Sequence, residues 1–426
     1  MVREYKDSGI TWIGSIPKEW KTERIKALFS ERNERDCQGK TLLSVSQYFG
    51  IRPKSETDLA DSHIAESYDD YKEVRKGDFV MNIMLAWHGS YAVSDYDGIV
   101  SPAYCVFKFR KDCCKKYFHY LLRTDGYPSA FKTMSRGVID SRLRLYPEQF
   151  YTFPVIIPSI DEQQRIADYL DKKCAEIDGL IELQEQMTAQ LTDYKQSVIT
   201  EAVTKGLNPN VEFVPSGVDW IGDVPKGWKV CRIKDIFRLR TGTTPKDFET
   251  GLDSSELVNW FTPSDVAEMN CELNCSERHL SKAVVEKEGI ELSPAGSLIF
   301  VGIGASAGKI GYATVQGYSN QQITTLIPKP SKCTGKYSYY YMIADRKRIR
   351  DNAFFTTLPI INNSYLSGIK TLLPSLEEQT SIASFLDKKC NEIDELITAK
   401  QKKIETLKEY KKSVIFEAVT GKIEIE

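Results

Sequence analysis

Two stretches of the chain place an apolar residue at every third or fourth position for more than forty residues with no proline, and this spacing predicts two long helices. In the first, Leu170, Ile177, Leu191 and Val198 recur at sevens with Gln184 in the middle slot. Ile166, Leu180, Met187 and Tyr194 form a companion row. In the second, Leu386, Ile393, Leu407 and Val414 recur in the same way beside Ile382, Leu396 and Tyr410, and Lys400 and Lys403 hold polar slots. A lone helix of this kind would expose its stripe, so the two are expected to pack on each other, with the polar slots fixing register. Each opens with a capping-box pattern, Ser159 with Glu162 and Ser375 with Glu378, just after Pro158 and Pro374, and is followed by Gly206 or Gly421. About 43 residues at ~1.5 Å each make a rod of roughly 65 Å.

The segments before the rods alternate in the shorter period of strands. In the first body, residues 41–45, 78–84, 103–109 and 153–157 read as strands, and 115–124 as an aromatic helix. In the second, 297–303, 309–315, 323–328 and 369–373 read as strands, and 336–350 as a helix. The fold class is α+β, with one mixed body used twice. Direct repetition agrees. Residues 158–204 and 374–420 are identical at 26 of 47 positions, and the heads Gly9–Lys26 and Gly217–Lys234 repeat at an offset of 208. The expected order is body 1–157, helix 158–206, body 207–373, helix 374–426. The head at Gly217 follows the first helix closely, so the head at Gly9 should sit beside the end of the second, bringing the termini together.

Composition narrows the class. The 426 residues carry 57 Lys+Arg against 59 Asp+Glu, with a hydrophobic share of 41%, which is ordinary for a globular chain. No apolar run approaches the ~20 residues of a membrane span, and MVREYKDSG lacks an apolar signal core. Ten scattered cysteines without a CxxC pair suit a reducing cytoplasm rather than a disulfide framework. Charge is segregated: +3 in each body, −6 over 158–204 and −1 over 374–420.

Candidate chemistry lies in the divergent bodies. Gly302-x-Gly304-x-x-x-Gly308-Lys309 lacks the phosphate-loop spacing and reads as a tight strand–turn–strand, with Lys309 able to meet a DNA phosphate. Cys271, Cys275 and His279 have helical spacing but no evident fourth ligand, so no metal site is expected. No Asn/Asp-Pro-Pro-aromatic loop, nuclease carboxylate cluster or His-assisted nucleophile stands out, so no catalytic residue is nominated. The first body offers Arg52, Lys54, Asn82, Trp87, His88, Arg136, Arg142 and Arg144, the arginines about Ser141. The second offers Thr243, Thr244, Lys246, Lys309, Gln321, Gln322, Asn362 and Asn363. Arginine can bond guanine bidentately and Asn or Gln can bond adenine, although each residue alone also suits a solvated loop.

The whole organisation resembles the specificity subunit of type I restriction–modification systems. The resemblance rests on the Pro-Ser-x-x-Glu-Gln starts at 158–163 and 374–379, and on the Leu-Asp-Lys-Lys-Cys-x-Glu-Ile-Asp runs at 170–178 and 386–394. The Trp-Ile-Gly-x-x-Pro-Lys-x-Trp heads at 12–20 and 220–228 complete it. Inside the bodies it extends to Gly77-Asp78 with Ser101-Pro102-Ala103-Tyr104, and to Thr241–Pro245 with Gly308-Lys309. It implies two target-recognition domains on an antiparallel, pseudo-twofold helix pair, each reading half of an asymmetric bipartite site in double-stranded DNA. It implies partners too: two modification subunits that use S-adenosylmethionine to methylate adenine, and restriction subunits that use ATP and Mg. This chain would hold no cofactor and no metal. Two other classes fit the pattern less well. A scaffold with two non-DNA domains would show no salt-dependent duplex binding, and a self-contained modifying enzyme would bind S-adenosylmethionine alone.

Overall fold

The structure, a computed structural model, describes residues 3–35, 39–47, 50–54, 68, 70–139, 142–246, 256–268, 271–352, 354–355 and 359–425. His63 and Ser141 lie outside them. The two periodic stretches are helices, Ile160–Lys205 and Leu376–Val419, here the central and terminal helices. Their starts differ in one respect. Ser375 Oγ accepts the Glu378 N–H at 3.2 Å and Glu378 accepts the Ser375 N–H at 3.2 Å, a reciprocal cap. Ser159 Oγ accepts the Glu162 N–H at 3.3 Å, but the Glu162 carboxylate is taken by Arg3 and by Trp20 Nε1. Gly206 and Gly421 end the helices at φ of +73° and +70°, the left-handed turn that glycine adopts without strain.

The chain divides into two compact units, Met1–Glu185 with Lys402–Glu426, and Gln186–Gln401. In the first, an antiparallel sheet runs in the order Phe29–Arg32, Tyr104–Phe109, Phe79–Asn82, Tyr91–Val93. Its inner face carries Phe29, Phe79 and Phe107, which pack with Phe131 and Phe150, and Phe79 and Phe150 stack at 5.7 Å. In the second unit the order Phe237–Thr241, Ile323–Pro328, Leu298–Val301, Ile310–Ala313 repeats this sheet strand for strand, and Glu272–Leu273 adds a parallel edge. Each expected strand therefore falls on an observed one, trimmed by a few residues, with 41–45 becoming Leu43–Ser46. The aromatic helices are Lys115–Leu122 and Gly335–Asp351.

Each body is clamped to its helices by buried polar residues that the repeat supplies twice. Gln163 accepts the Cys114 N–H at 3.0 Å and donates to Pro158 O at 3.0 Å. Gln379 accepts the Thr334 N–H at 2.8 Å and donates to Pro374 O at 3.0 Å. Tyr117 Oη donates to Val419 O at 3.0 Å, and Tyr337 Oη to Val203 O at 3.4 Å. The first head meets the end of the terminal helix as expected. Tyr5 Oη donates to Gly421 O at 3.0 Å, and a Cβ on Gly421 would lie 2.6 Å from Pro17.

Within each unit the two helices pack on each other, but along a stripe that corrects one expected row. Leu170, Ile177, Leu386 and Ile393 are buried, and Leu191 and Leu407 half-buried. Leu180, Tyr194, Leu396 and Tyr410 are exposed, and Lys403 with them. The inward companion row lies one residue further on, at Ala167, Cys174 and Lys195 and at Ala383, Cys390 and Ile404. Positions three and four residues before the first row are both within reach of a partner helix. Of the expected row, Leu180, Tyr194, Leu396 and Tyr410 turn outward, while Met187 is half-buried against Lys400. Ile166 and Ile382 are buried in the cores of the bodies. In the second unit Lys195 Nζ reaches both Asp394 oxygens at 2.7 and 2.8 Å, while Lys400 lies on Met187, so the strands of helix run in opposite directions. In the first unit Lys411 makes the repeat-equivalent pair with Asp178 at 2.7 Å.

Candidate nucleic-acid interface

In each body several of the predicted residues lie beside the end of one strand, Phe79–Asn82 or Leu298–Val301, and others lie elsewhere. In the first body Asn82 is buried and its Oδ1 accepts the Met84 N–H at 3.0 Å. This corrects the expectation of a base-reading amide: Asn82 shapes the turn that carries Trp87 and His88. Their rings lie 3.8 Å apart, His88 is exposed, and Lys132 Nζ sits 4.7 Å from the Trp87 ring. Leu145 N–H reaches Ile83 O at 2.9 Å and brings the chain of Arg136, Arg142 and Arg144 alongside. Arg136 and Arg144 exchange backbone hydrogen bonds at 2.9 Å in both directions. Arg136 and Arg142 are exposed. Arg144 is half-buried, with Nη1 enclosed and lacking a partner among the described residues.

Arg52 and Lys54 lie on another hairpin, Leu43–Ser46 with Gly50–Pro53 and the residue after it. Arg123 ties that hairpin to the rim, donating to Tyr91 O at 2.7 Å, Gly89 O at 3.2 Å and Gln47 O. Burial draws its pKa down from the usual arginine value. Arg123 and Lys132 carried no sequence signal, because each works through partners distant in the chain.

The second rim is tighter and richer in amides. Gly242 N–H meets Ile323 O at 2.9 Å and Thr243 N–H meets Ser319 O at 2.9 Å. A Cβ on Gly242 would fall 2.3 Å from the Asn320 carbonyl, so only glycine fits there. Thr244 and Gln321 share a side-chain hydrogen bond, and Asn320 donates to Gln322 Oε1 at 3.1 Å. Gly302 joins this group to the chain beyond: it donates to Gln322 O at 2.8 Å and accepts from Ile361 at 2.8 Å. Asn363 donates to Thr241 Oγ1 at 2.8 Å and accepts from Thr324 at 2.6 Å. Asn362 Oδ1 caps the Tyr365 N–H at 2.8 Å. Thr243, Thr244, Gln321, Gln322, Asn362 and Asn363 thus share one surface.

Lys246 ends the loop, exposed, its N–H held by Glu288 at 2.9 Å. Lys309 does not stand as a free phosphate ligand. Its ammonium is 3.3 Å from Glu268, which also binds Arg346 and is held below the usual carboxyl range by Arg346 first and Lys309 with it. The glycine segment is the strand–turn–strand expected, with Phe300 opposite Ile310. Among the described residues no group of His, Cys, Asp and Glu converges as metal ligands would, and no helix is long and apolar enough to cross a membrane.

Two copies of one sheet, each held to its helices by the same buried Gln and Tyr contacts, form the two units of the chain. The family of type I restriction modification DNA specificity domains matches residues 17–192 and 225–406, and the chain belongs to it. The type I restriction enzyme MjaVIII specificity subunit of Methanocaldococcus jannaschii is 23% identical over 436 residues, spanning 96% of this chain and 94% of that protein. The MjaIX specificity subunit of the same organism is 29% identical over 197 residues, 44% of this chain and 42% of its own length. Among solved structures, a chain from a study of assembly and conformational transition of the type I R-M system superposes with a TM-score of 0.71. It is 16% identical, with 96% of this chain and 99% of that one covered. The HsdS subunit from Thermoanaerobacter tengcongensis gives 0.51 at 16% identity over 96% and 98%.

Proposed function

We propose that this chain is the DNA-specificity subunit of a type I restriction–modification complex, each body reading one half of an asymmetric bipartite site. One observation carries this reading: a single sheet frame bears two chemically different rims, guanidinium-rich in the first body and amide-rich in the second. Arginine suits guanine and phosphate, whereas Asn and Gln suit adenine. Two unlike rims on one frame would therefore read two unlike half-sites. The helix pair sets the gap between them and docks two modification subunits in the cytoplasm. S-adenosylmethionine, and the ATP and Mg used in restriction, belong to the partner subunits, and this chain contributes no catalytic group.

Mapping methylated adenines after exchanging residues 207–373 for those of a relative tests this directly. One half-site should change while the other and the gap stay as they were. If both half-sites changed, or the full complex bound duplex DNA without sequence preference, the two-reader assignment would fall.

A further inference from the structure

Gln322 stands just before the strand Ile323–Pro328, and its side-chain amide can point only one way. Asn320, buried beside it, accepts the Gln322 backbone N–H through Oδ1 at 3.1 Å, so the other end of the Asn320 amide is its NH2 group. That group donates to the Gln322 side chain at 3.1 Å, so the atom it meets is Oε1. A backbone donor thus orients both amides and leaves the Gln322 Nε2 without a partner among the described residues. Asn362 is set in the same manner. Its Oδ1 caps the Tyr365 N–H at 2.8 Å, and Nδ2 of this exposed residue is left over. Gly302 brings the two together, donating to Gln322 O and accepting from the Ile361 N–H, each at 2.8 Å. Nearby, Gln321 Oε1 takes the Thr244 hydroxyl, and Asn363 spends both ends of its amide on Thr241 and Thr324. The amide groups that remain for a ligand on this surface are NH2 donors.

Resting on the specificity-subunit reading above, we propose that Gln322, with Asn362 beside it, is a specificity-determining residue that selects guanine in the half-site read by the second body. A glutamine free at both ends can bond adenine, donating to N7 and accepting from the N6 amino group. Here the carbonyl is already engaged within the protein, and an NH2 group set against the adenine amino group would oppose two donors. A donor that loses water without meeting an acceptor costs more than an ordinary hydrogen bond gains. In the major groove guanine offers two acceptors side by side, N7 and O6, whereas adenine and cytosine each present an amino donor and thymine sets its methyl beside its one acceptor. Guanine is therefore the base edge that satisfies the groups left over.

The test uses the full chain with its modification subunits and a DNA library randomised in both half-sites. Base preference is read as a ratio within each library, so a general loss of affinity from added negative charge cancels. The parent should prefer guanine at one or two positions of the half-site that changes when residues 207–373 are exchanged. Gln322→Glu keeps the oxygen that Asn320 binds and turns the outer NH2 into an acceptor. It should lose about tenfold of the guanine preference at one of those positions and favour cytosine there, whose N4 group donates. Asn362→Asp keeps the Tyr365 cap, makes the same reversal and carries the test if Gln322→Glu unfolds early. The other half-site should stay as in the parent. Adenine at the affected position in the parent, or guanine ratios unchanged in both variants, overturns the proposal while leaving the two-reader assignment intact. A parent complex with no sequence preference removes the underlying reading and this inference together.

Discussion

Gln163 shows how one side chain can decide a junction. Its amide meets a backbone donor of the body and a backbone acceptor of the helix start at once. Gln163→Leu leaves both buried groups unpaired, and urea unfolding should show a loss of roughly 1–3 kcal/mol for each group left unsatisfied. His119 sets a pH dependence. Its pKa is lowered to about 4, first by loss of hydration and then by Arg123, with Lys116 adding to the shift and Asp171 opposing it. Nδ1 accepts the Val93 N–H at 3.4 Å, which requires an unprotonated nitrogen. The unfolded chain takes up this proton near pH 6.5 and the folded one near 4. His119 should therefore cost stability progressively as pH falls between those values, with no further loss below. His119→Gln should flatten that window in a series of unfolding curves, and an unchanged slope would exclude this origin.

The repeat gives the paired helices two ion pairs that differ in burial. The Lys195 side chain is 2% exposed and Asp394 35%, against 28% for Lys411 and 56% for Asp178. Asp394→Ala strands a buried ammonium and should destabilise by about 3–5 kcal/mol. Asp178→Ala should cost under ~1 kcal/mol. Replacing Lys195 and Asp394 together by apolar residues should recover most of the loss, since no charge is then left behind. Equal effects of the two single substitutions, by chemical denaturation, would argue against burial as the deciding factor. The existence, length and ends of both helices were legible because heptad spacing, capping residues and terminal glycines all lie within a few positions of one another. The inward row was not. Ala167, Cys174 and Lys195 look poorer than Leu180 and Tyr194 on hydrophobicity, and only the partner helix selects between neighbouring faces.

The assembly reading makes a dimensional prediction for the whole molecule. Removing Gln184–Gln190 together with the repeat-equivalent Lys400–Thr406 keeps every remaining side chain on its face. It shortens the pair by about 10 Å at ~1.5 Å per residue. The preferred gap between half-sites should shrink by about three base pairs at ~3.4 Å each, with the bases read left unchanged. Methylation mapping gives the answer, and a constant gap would remove the spacer role.

Sequence alone decided the doubled plan of this protein: two helices, two bodies of one fold, and the meeting of the first head with the last helical turn. These follow from local spacing and from repetition, which need no knowledge of distant neighbours. The rims were decided by tertiary structure. Asn82 and Lys309 carry recognition chemistry in the sequence, yet one is spent on a turn and the other on Glu268. Val138 and Ile139 look like core residues in a string of letters and stand in water in the fold. A side chain's type states what it can bond. Which partner reaches it first depends on chain segments far away in sequence.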